Sequence, residues 1–182
     1  MNHKDWLDNE YKQFIQALNE STVNNFQQHP MVLRMLGTVE EQQKKFDYYA
    51  PLVLAQNPKS ICEIGGGSGL FYVTLRRLGY KGDYFIADLP EVKSFQIDFA
   101  SKNGFELGFT PTSEFDFCVS LYALGEFDDE TKNKYVESVV KNTPHGLVVW
   151  NPHSGASSEI NWECKIEDEP FFTMEGNKLL TW

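Results

Sequence analysis

Residues 60–70 read Ser60-Ile61-Cys62-Glu63-Ile64-Gly65-Gly66-Gly67-Ser68-Gly69-Leu70. The first five form a short apolar run, which the spacing predicts as a buried strand. Glycines then fill four of the next five positions. They let the backbone turn sharply and let a ligand approach with no Cβ in the way. A helix is predicted over 70–78, stopping at Gly79. Strand, glycine loop and helix together open a βαβ unit.

The pattern repeats downstream. A second strand is predicted over 83–87, ending at Asp88. Pro90 suits the first turn of a helix that runs to about Asn103 and stops at Gly104. A third strand is predicted over 115–121. Asp128 or Asp129 can cap a helix carrying Tyr135, Val136, Val139 and Val140. A fourth strand follows over 146–150. Two apolar runs, 170–173 and 178–182, flank Glu175-Gly176-Asn177 and predict an antiparallel hairpin. Alternating strands and helices imply right-handed crossovers and a mostly parallel sheet with helices on both faces. Ligands bind such sheets outside the carboxyl ends of the strands. The loops beginning at Gly65, Asp88, Leu121 and Asn151 therefore belong on one rim.

Upstream, Trp6, Leu7, Tyr11, Phe14, Ile15 and Leu18 mark one face of an amphipathic helix over 4–20. Residues 21–30 read as a polar loop. Thr38-Val39-Glu40-Glu41 matches a capping box, so a helix is expected next, with Pro51 kinking it or starting another. Residues 1–50 read as a helical, substrate-covering cap and 51–182 as the ligand-binding unit, within one compact domain.

Composition narrows the function. The 182 residues are 41% hydrophobic and 23% charged, an ordinary globular balance. A formal charge of −10 disfavours a nucleic-acid partner. No apolar run approaches the roughly 20 residues that span a bilayer, and the start of the chain lacks a signal pattern. Cys62, Cys118 and Cys164 are widely spaced and form no metal-ligand cluster. They read as reduced thiols of a cytoplasmic protein.

The chemistry lies in the loop and its neighbours. The helix after the loop offers free N–H groups to an anion such as a carboxylate. Asp88, at the end of the next strand, can accept from both hydroxyls of a ribose. Together they describe a site for an adenosine-containing cofactor. A dinucleotide fingerprint wants a sixth-position glycine, and Leu70 stands there instead. Glu63 before the loop suits a ligand with an ammonium group, directly or through water, and would repel a pyrophosphate. This charge logic points to S-adenosyl-L-methionine, which carries an ammonium, a sulfonium and a ribose.

Glu63-Ile64-Gly65-Gly66-Gly67-Ser68-Gly69 resembles the first motif of class I S-adenosylmethionine-dependent methyltransferases, and Phe85-Ile86-Ala87-Asp88 resembles their second, acidic motif. The resemblance spans roughly residues 40–182. Three shorter pieces resemble a sugar O-methyltransferase family: Asp88-Leu89-Pro90-Glu91, Ser120-Leu121-Tyr122-Ala123-Leu124-Gly125-Glu126-Phe127, and 147–151 with the closing Leu179-Leu180-Thr181-Trp182. The resemblance implies a Rossmann-like seven-stranded sheet with a reversed final strand. It implies that Asp88 binds the ribose and that the glycine loop packs on the methionine portion of the cofactor.

The candidate cofactor contacts are thus Glu63, Gly65, Gly66, Gly67, Ser68, Gly69, Asp88, Leu89, Phe109 and Leu121, with Phe109 placed to stack on adenine. The acceptor, a saccharide or other small molecule, is expected to meet Tyr122 and Asn151. A sugar hydroxyl needs a base, and His153 and Glu126, each after a strand end, are the candidates. Glu126, Asp128 and Asp129 form only a weak set for Mg²⁺, so no metal is assigned. The chain is short, which leaves the acceptor cover to residues 1–50 or to a second subunit of a homodimer. Competing readings are a methyltransferase for another small molecule, a noncatalytic S-adenosylmethionine-binding domain, and a nicotinamide-dependent oxidoreductase, the last disfavoured by Leu70 and Glu63.

Overall fold

The computed structural model describes residues 38–108, 114–151 and 159–182. The helix expected over 4–20 lies outside them. Helix α1 (Val39–Leu54) opens with the expected capping box. Thr38 N donates to Glu41 Oε2 at 2.8 Å and Glu41 N donates to Thr38 Oγ1 at 3.2 Å. The helix runs through Pro51 without a break. Proline's fixed φ is helical, and within one turn of the helix end only one backbone bond is lost. The proposed boundary at residue 50 therefore falls inside a helix, and Tyr49, Ala50 and Val53 of that helix are all buried in the core.

The remaining elements follow in the expected alternation. They are β1 (Ser60–Ile64), α2 (Leu70–Arg77), β2 (Asp83–Ala87), α3 (Lys93–Lys102), β3 (Phe117–Leu121), α4 (Asp129–Ser138), β4 (His145–Trp150), β5 (Lys165–Asp168) and β6 (Lys178–Thr181). The sheet order is β2-β1-β3-β4-β6-β5. The first four strands are mutually parallel, and β6 runs antiparallel to both of its neighbours. Six strands stand among the described residues, where seven were expected. The chain after α3 is irregular over 105–108.

The antiparallel partner of β6 is Lys165–Asp168, not the run 170–173. That run belongs to the turn between the strands, where Phe172 N donates to Glu169 O. A proline at 170 has no N–H for a ladder, which favours the turn over the strand.

Strands β1 and β3 are buried along their whole length, as parallel strands covered on both faces must be. One core cluster joins Tyr49, Phe71, Tyr72, Ile86 and Phe99 from the α1, α2 and α3 side. The other joins Cys62, Cys118, Val136, Trp150 and Leu180 from the α4 side. At the opposite end of β4 from the rim, a Cβ on Gly146 would lie 2.1 Å from the ring of Trp182. The Trp182 indole also donates to Thr143 O at 2.9 Å, fixing the C-terminal strand in register.

The parallel arrangement brings the carboxyl ends of β1 to β4 to one edge. Strand order reverses between β1 and β3, so the loops after these two strands flank the crevice.

Candidate cofactor and acceptor site

The glycine loop makes three turns that disfavour side chains. Gly65, Gly67 and Gly69 have φ of +73°, +53° and +83°. Space forbids side chains as well. A Cβ on Gly65 would lie 2.2 Å from Ala123 Cβ in the loop after β3, and one on Gly66 would lie 2.5 Å from Ile86 Cγ2. Gly65 N donates to Ala87 O at 2.9 Å, which continues the β1–β2 ladder into the loop. Ser68 is buried. Gly69 is the N-cap of α2 and makes no side-chain cap bond to its first-turn N–H groups.

Asp88 stands at the end of β2, facing the loop. Its Oδ2 accepts from Gly67 N at 3.2 Å and from Gln96 Nε2 at 3.0 Å, and its Oδ1 accepts from Leu89 N at 2.8 Å. Burial raises its pKa above the usual carboxylate value, and the bonds from Leu89, Gln96 and Gly67 oppose that rise. Two carboxylate oxygens offer about four lone-pair sites, so capacity remains for a ribose hydroxyl. Gln96, on α3 and fully buried, also donates to Gly67 O at 2.9 Å. It clamps the loop and the acid together.

Glu63 occupies a different setting from the one its charge suggests. It is 2% exposed, and Tyr84 donates its hydroxyl to Glu63 Oε2 at 2.7 Å. Its carboxylate lies directly beneath Gly66, 3.0 Å from where a Cβ would stand. Burial pushes its pKa up to about 8; the Tyr84 bond counteracts this and the nearby Asp88 adds to it. It braces the loop from below.

Leu121 is buried at the end of β3, and Leu89 is exposed beside Asp88. Phe109 and His153 lie outside the described residues. On the far side of the crevice, Asn151 Nδ2 donates to Glu126 Oε1 at 3.2 Å. Loss of water around the carboxyl raises the Glu126 pKa, against the lowering effect of Asn151. Gly125 is pressed on the Asn151 backbone, where a Cβ would lie 2.7 Å from its carbonyl oxygen. The structure thus brings these two predicted residues together.

Tyr122 has a left-handed φ of +73° and donates its hydroxyl to Glu169 Oε1 at 2.6 Å. Asp128 caps α4 through Thr131 N at 2.8 Å, and Asp129 pairs with Lys132 at 2.7 Å. Neither joins Glu126 in a metal cage, and no group of three His, Cys, Asp or Glu among the described residues is arranged to hold an ion.

Sequence reasoning missed Gln96, Tyr84, Ser120 and Glu169. Gln96 carries a legible signal, since it shares the apolar stripe of α3 with Phe99 and Ala100. Ser120 bridges β1 to the loop after β3, donating to Ile64 O at 2.9 Å and accepting from Leu124 N at 3.1 Å. A serine in a strand gives no hint of that task. Glu169 sits in a turn that carries no motif.

No protein-family model and no curated protein matches this sequence. Solved structures do. An O-methyltransferase family protein from Burkholderia thailandensis superimposes with a TM-score of 0.61 at 11% identity, over 98% of this chain and 69% of that one. A magnesium protoporphyrin IX methyltransferase from Synechocystis PCC 6803, solved with bound S-adenosylmethionine, superimposes with a TM-score of 0.58 at 12% identity, over 100% of this chain and 96% of that one. In its architecture, this chain has the α/β fold of the class I methyltransferases.

Proposed function

We propose that this protein is an S-adenosylmethionine-dependent O-methyltransferase that methylates a hydroxyl of a sugar or glycan precursor. One observation carries the cofactor half of this reading. Asp88 is held by Gly67 of a loop in which Gly65 and Gly66 leave no room for a side chain, beside a helix start without a side-chain cap. That cradle fits a ribose on one side and a carboxylate on the other. The fold shared with O-methyltransferases supports the same reading.

Asp88 would hold the ribose, with Gln96 fixing its carboxylate. The loop over 65–69 would lie against the methionine portion, and the first turn of α2 would face its carboxylate. Leu89 and Leu121 would flank the nucleoside. Once bound, S-adenosylmethionine supplies an activated methyl group on sulfonium. The remaining task of the protein is alignment of an acceptor oxygen in line with that methyl. Asn151, Glu126 and Tyr122, from the loops after β3 and β4, would orient the acceptor. The sugar class rests on the short resemblances around Asp88, Tyr122 and Trp182.

Thermal unfolding tests the cofactor assignment. S-adenosylhomocysteine should raise the Tm of the wild type, because a ligand that binds only the folded state stabilises it. It should raise the Tm of Asp88→Ala far less. Equal shifts in both proteins would remove the ribose from Asp88.

A further inference from the structure

Tyr122 combines features that packing alone does not require. It is a bulky residue in the left-handed region, immediately after β3. Such conformations persist only where the surroundings enforce them, and they concentrate at functional sites. Its neighbour Ala123 is the residue that Gly65 of the loop packs against, so the strained turn adjoins the cofactor cradle. Its hydroxyl donates to Glu169 and lies 3.2 Å from the Thr173 hydroxyl.

Glu169 is 1% exposed. It accepts from Tyr122, from Thr173 N at 2.7 Å and from Thr173 Oγ1 at 2.9 Å. These donors are all neutral. A buried carboxylate held by neutral donors is an expensive arrangement if its only task is to tie down a turn. Lys45 stands over the Tyr122 ring, with its ammonium 5.1 Å from the centroid. Tyr49, fully buried, stands beside Tyr122 and Glu169 and adds a third hydroxyl to the cluster.

We propose that Tyr122 is the residue that takes the proton from the acceptor hydroxyl, and that Glu169 is the positioning residue and proton sink behind it. The proposal rests on the methyltransferase reading above. A phenol oxygen that donates its proton to Glu169 keeps lone pairs with which it can accept from an acceptor O–H. As the acceptor oxygen bonds to the methyl carbon, the carbon–sulfur bond breaks and its electron pair stays on sulfur, leaving a neutral thioether. The acceptor proton passes to the Tyr122 oxygen while the Tyr122 proton passes to Glu169, which becomes neutral and later returns the proton to water. Glu126 then serves to orient the acceptor.

The test uses the full chain, labelled S-adenosylmethionine, and UDP-glucose, glucose and catechol as acceptors. Tyr122→Phe and Glu169→Gln should bind S-adenosylmethionine as the wild type does, and lose about 10²–10⁴-fold in kcat with little change in acceptor KM. Glu169→Asp should recover part of the loss. A second readout needs no turnover: a fluorotyrosine at position 122 should shift its fluorine resonance when the productive acceptor is added without cofactor. Wild-type kcat in both variants, a loss confined to KM, or a resonance blind to acceptor would overturn the relay. So would cofactor binding with no transfer to any of the three acceptors. Absence of cofactor binding in the wild type would instead overturn the methyltransferase reading itself. Should Glu169→Gln fail to fold, Tyr122→Phe and the fluorine resonance still decide.

Discussion

The Asp88 carboxylate accepts a hydrogen bond from the Gly67 backbone N–H at 3.2 Å, across a gap of 21 positions in sequence. This bond joins the end of β2 to the turn after β1. It sets the acid that would hold a ribose against the loop that would hold the rest of the cofactor. Replacing Asp88 by alanine should weaken S-adenosylmethionine binding about 10- to 100-fold, since a hydrogen bond to a charged group contributes about 1.5–3 kcal/mol. Equilibrium dialysis of the variant checks this.

Gly65 should tolerate no side chain. Gly65→Ala places a methyl group 2.2 Å from Ala123 Cβ at a φ of +73°. Overpacking of this kind costs about 1–3 kcal/mol, and the left-handed backbone adds about 1 kcal/mol or more. The variant should unfold at lower denaturant with an unchanged m-value, and its cofactor affinity should fall with it.

Glu63 predicts a pH dependence of stability. Its pKa is about 8 in the folded protein against an ordinary 4.5. Between those values the unfolded chain has released its proton and the folded chain keeps it. Stability from this group is therefore full below the lower value and declines as pH rises towards the upper one. Glu63→Gln cannot titrate and can still accept from Tyr84. Its Tm should differ little from wild type near pH 5 and exceed it by a margin that grows towards pH 8. Parallel Tm profiles for the two proteins would show that Glu63 ionises normally.

Glu126 and Asn151 touch, so their contributions should not add. Each alanine variant should lower kcat/KM for the acceptor about 10-fold, as expected for one lost hydrogen bond of about 1–2 kcal/mol. The double variant should lose less than the product of the two. Steady-state rates in a double-mutant cycle measure the shortfall.

Much of this was legible in the sequence, for reasons that differ by element. The glycine loop and Asp88 announce themselves, because turn chemistry and strand ends depend on local residues. Strands β1 to β4 were readable because buried parallel strands are short, continuous apolar runs. The tail was harder to read. Lys165–Asp168 is exposed along its length, so it lacks the apolar pattern that marks a strand, and the apolar Phe171-Phe172 pair drew attention to the turn instead. Glu63 reads in the sequence as a partner for an ammonium group, and its burial is not legible there because it depends on Tyr84, which arrives from another strand. Glu169 acts through a partner 47 residues away. Such a pairing is set by topology and carries no local signature.

The central claim is that the cradle formed by Gly65, Gly67, Gly69 and Asp88 binds S-adenosylmethionine. Calorimetric titration of the full chain with S-adenosylmethionine and, separately, with NAD tests it most directly. The account predicts saturable one-to-one binding of S-adenosylmethionine and none of NAD. A well-folded protein that gives no binding heat with S-adenosylmethionine, or that prefers NAD, would contradict it.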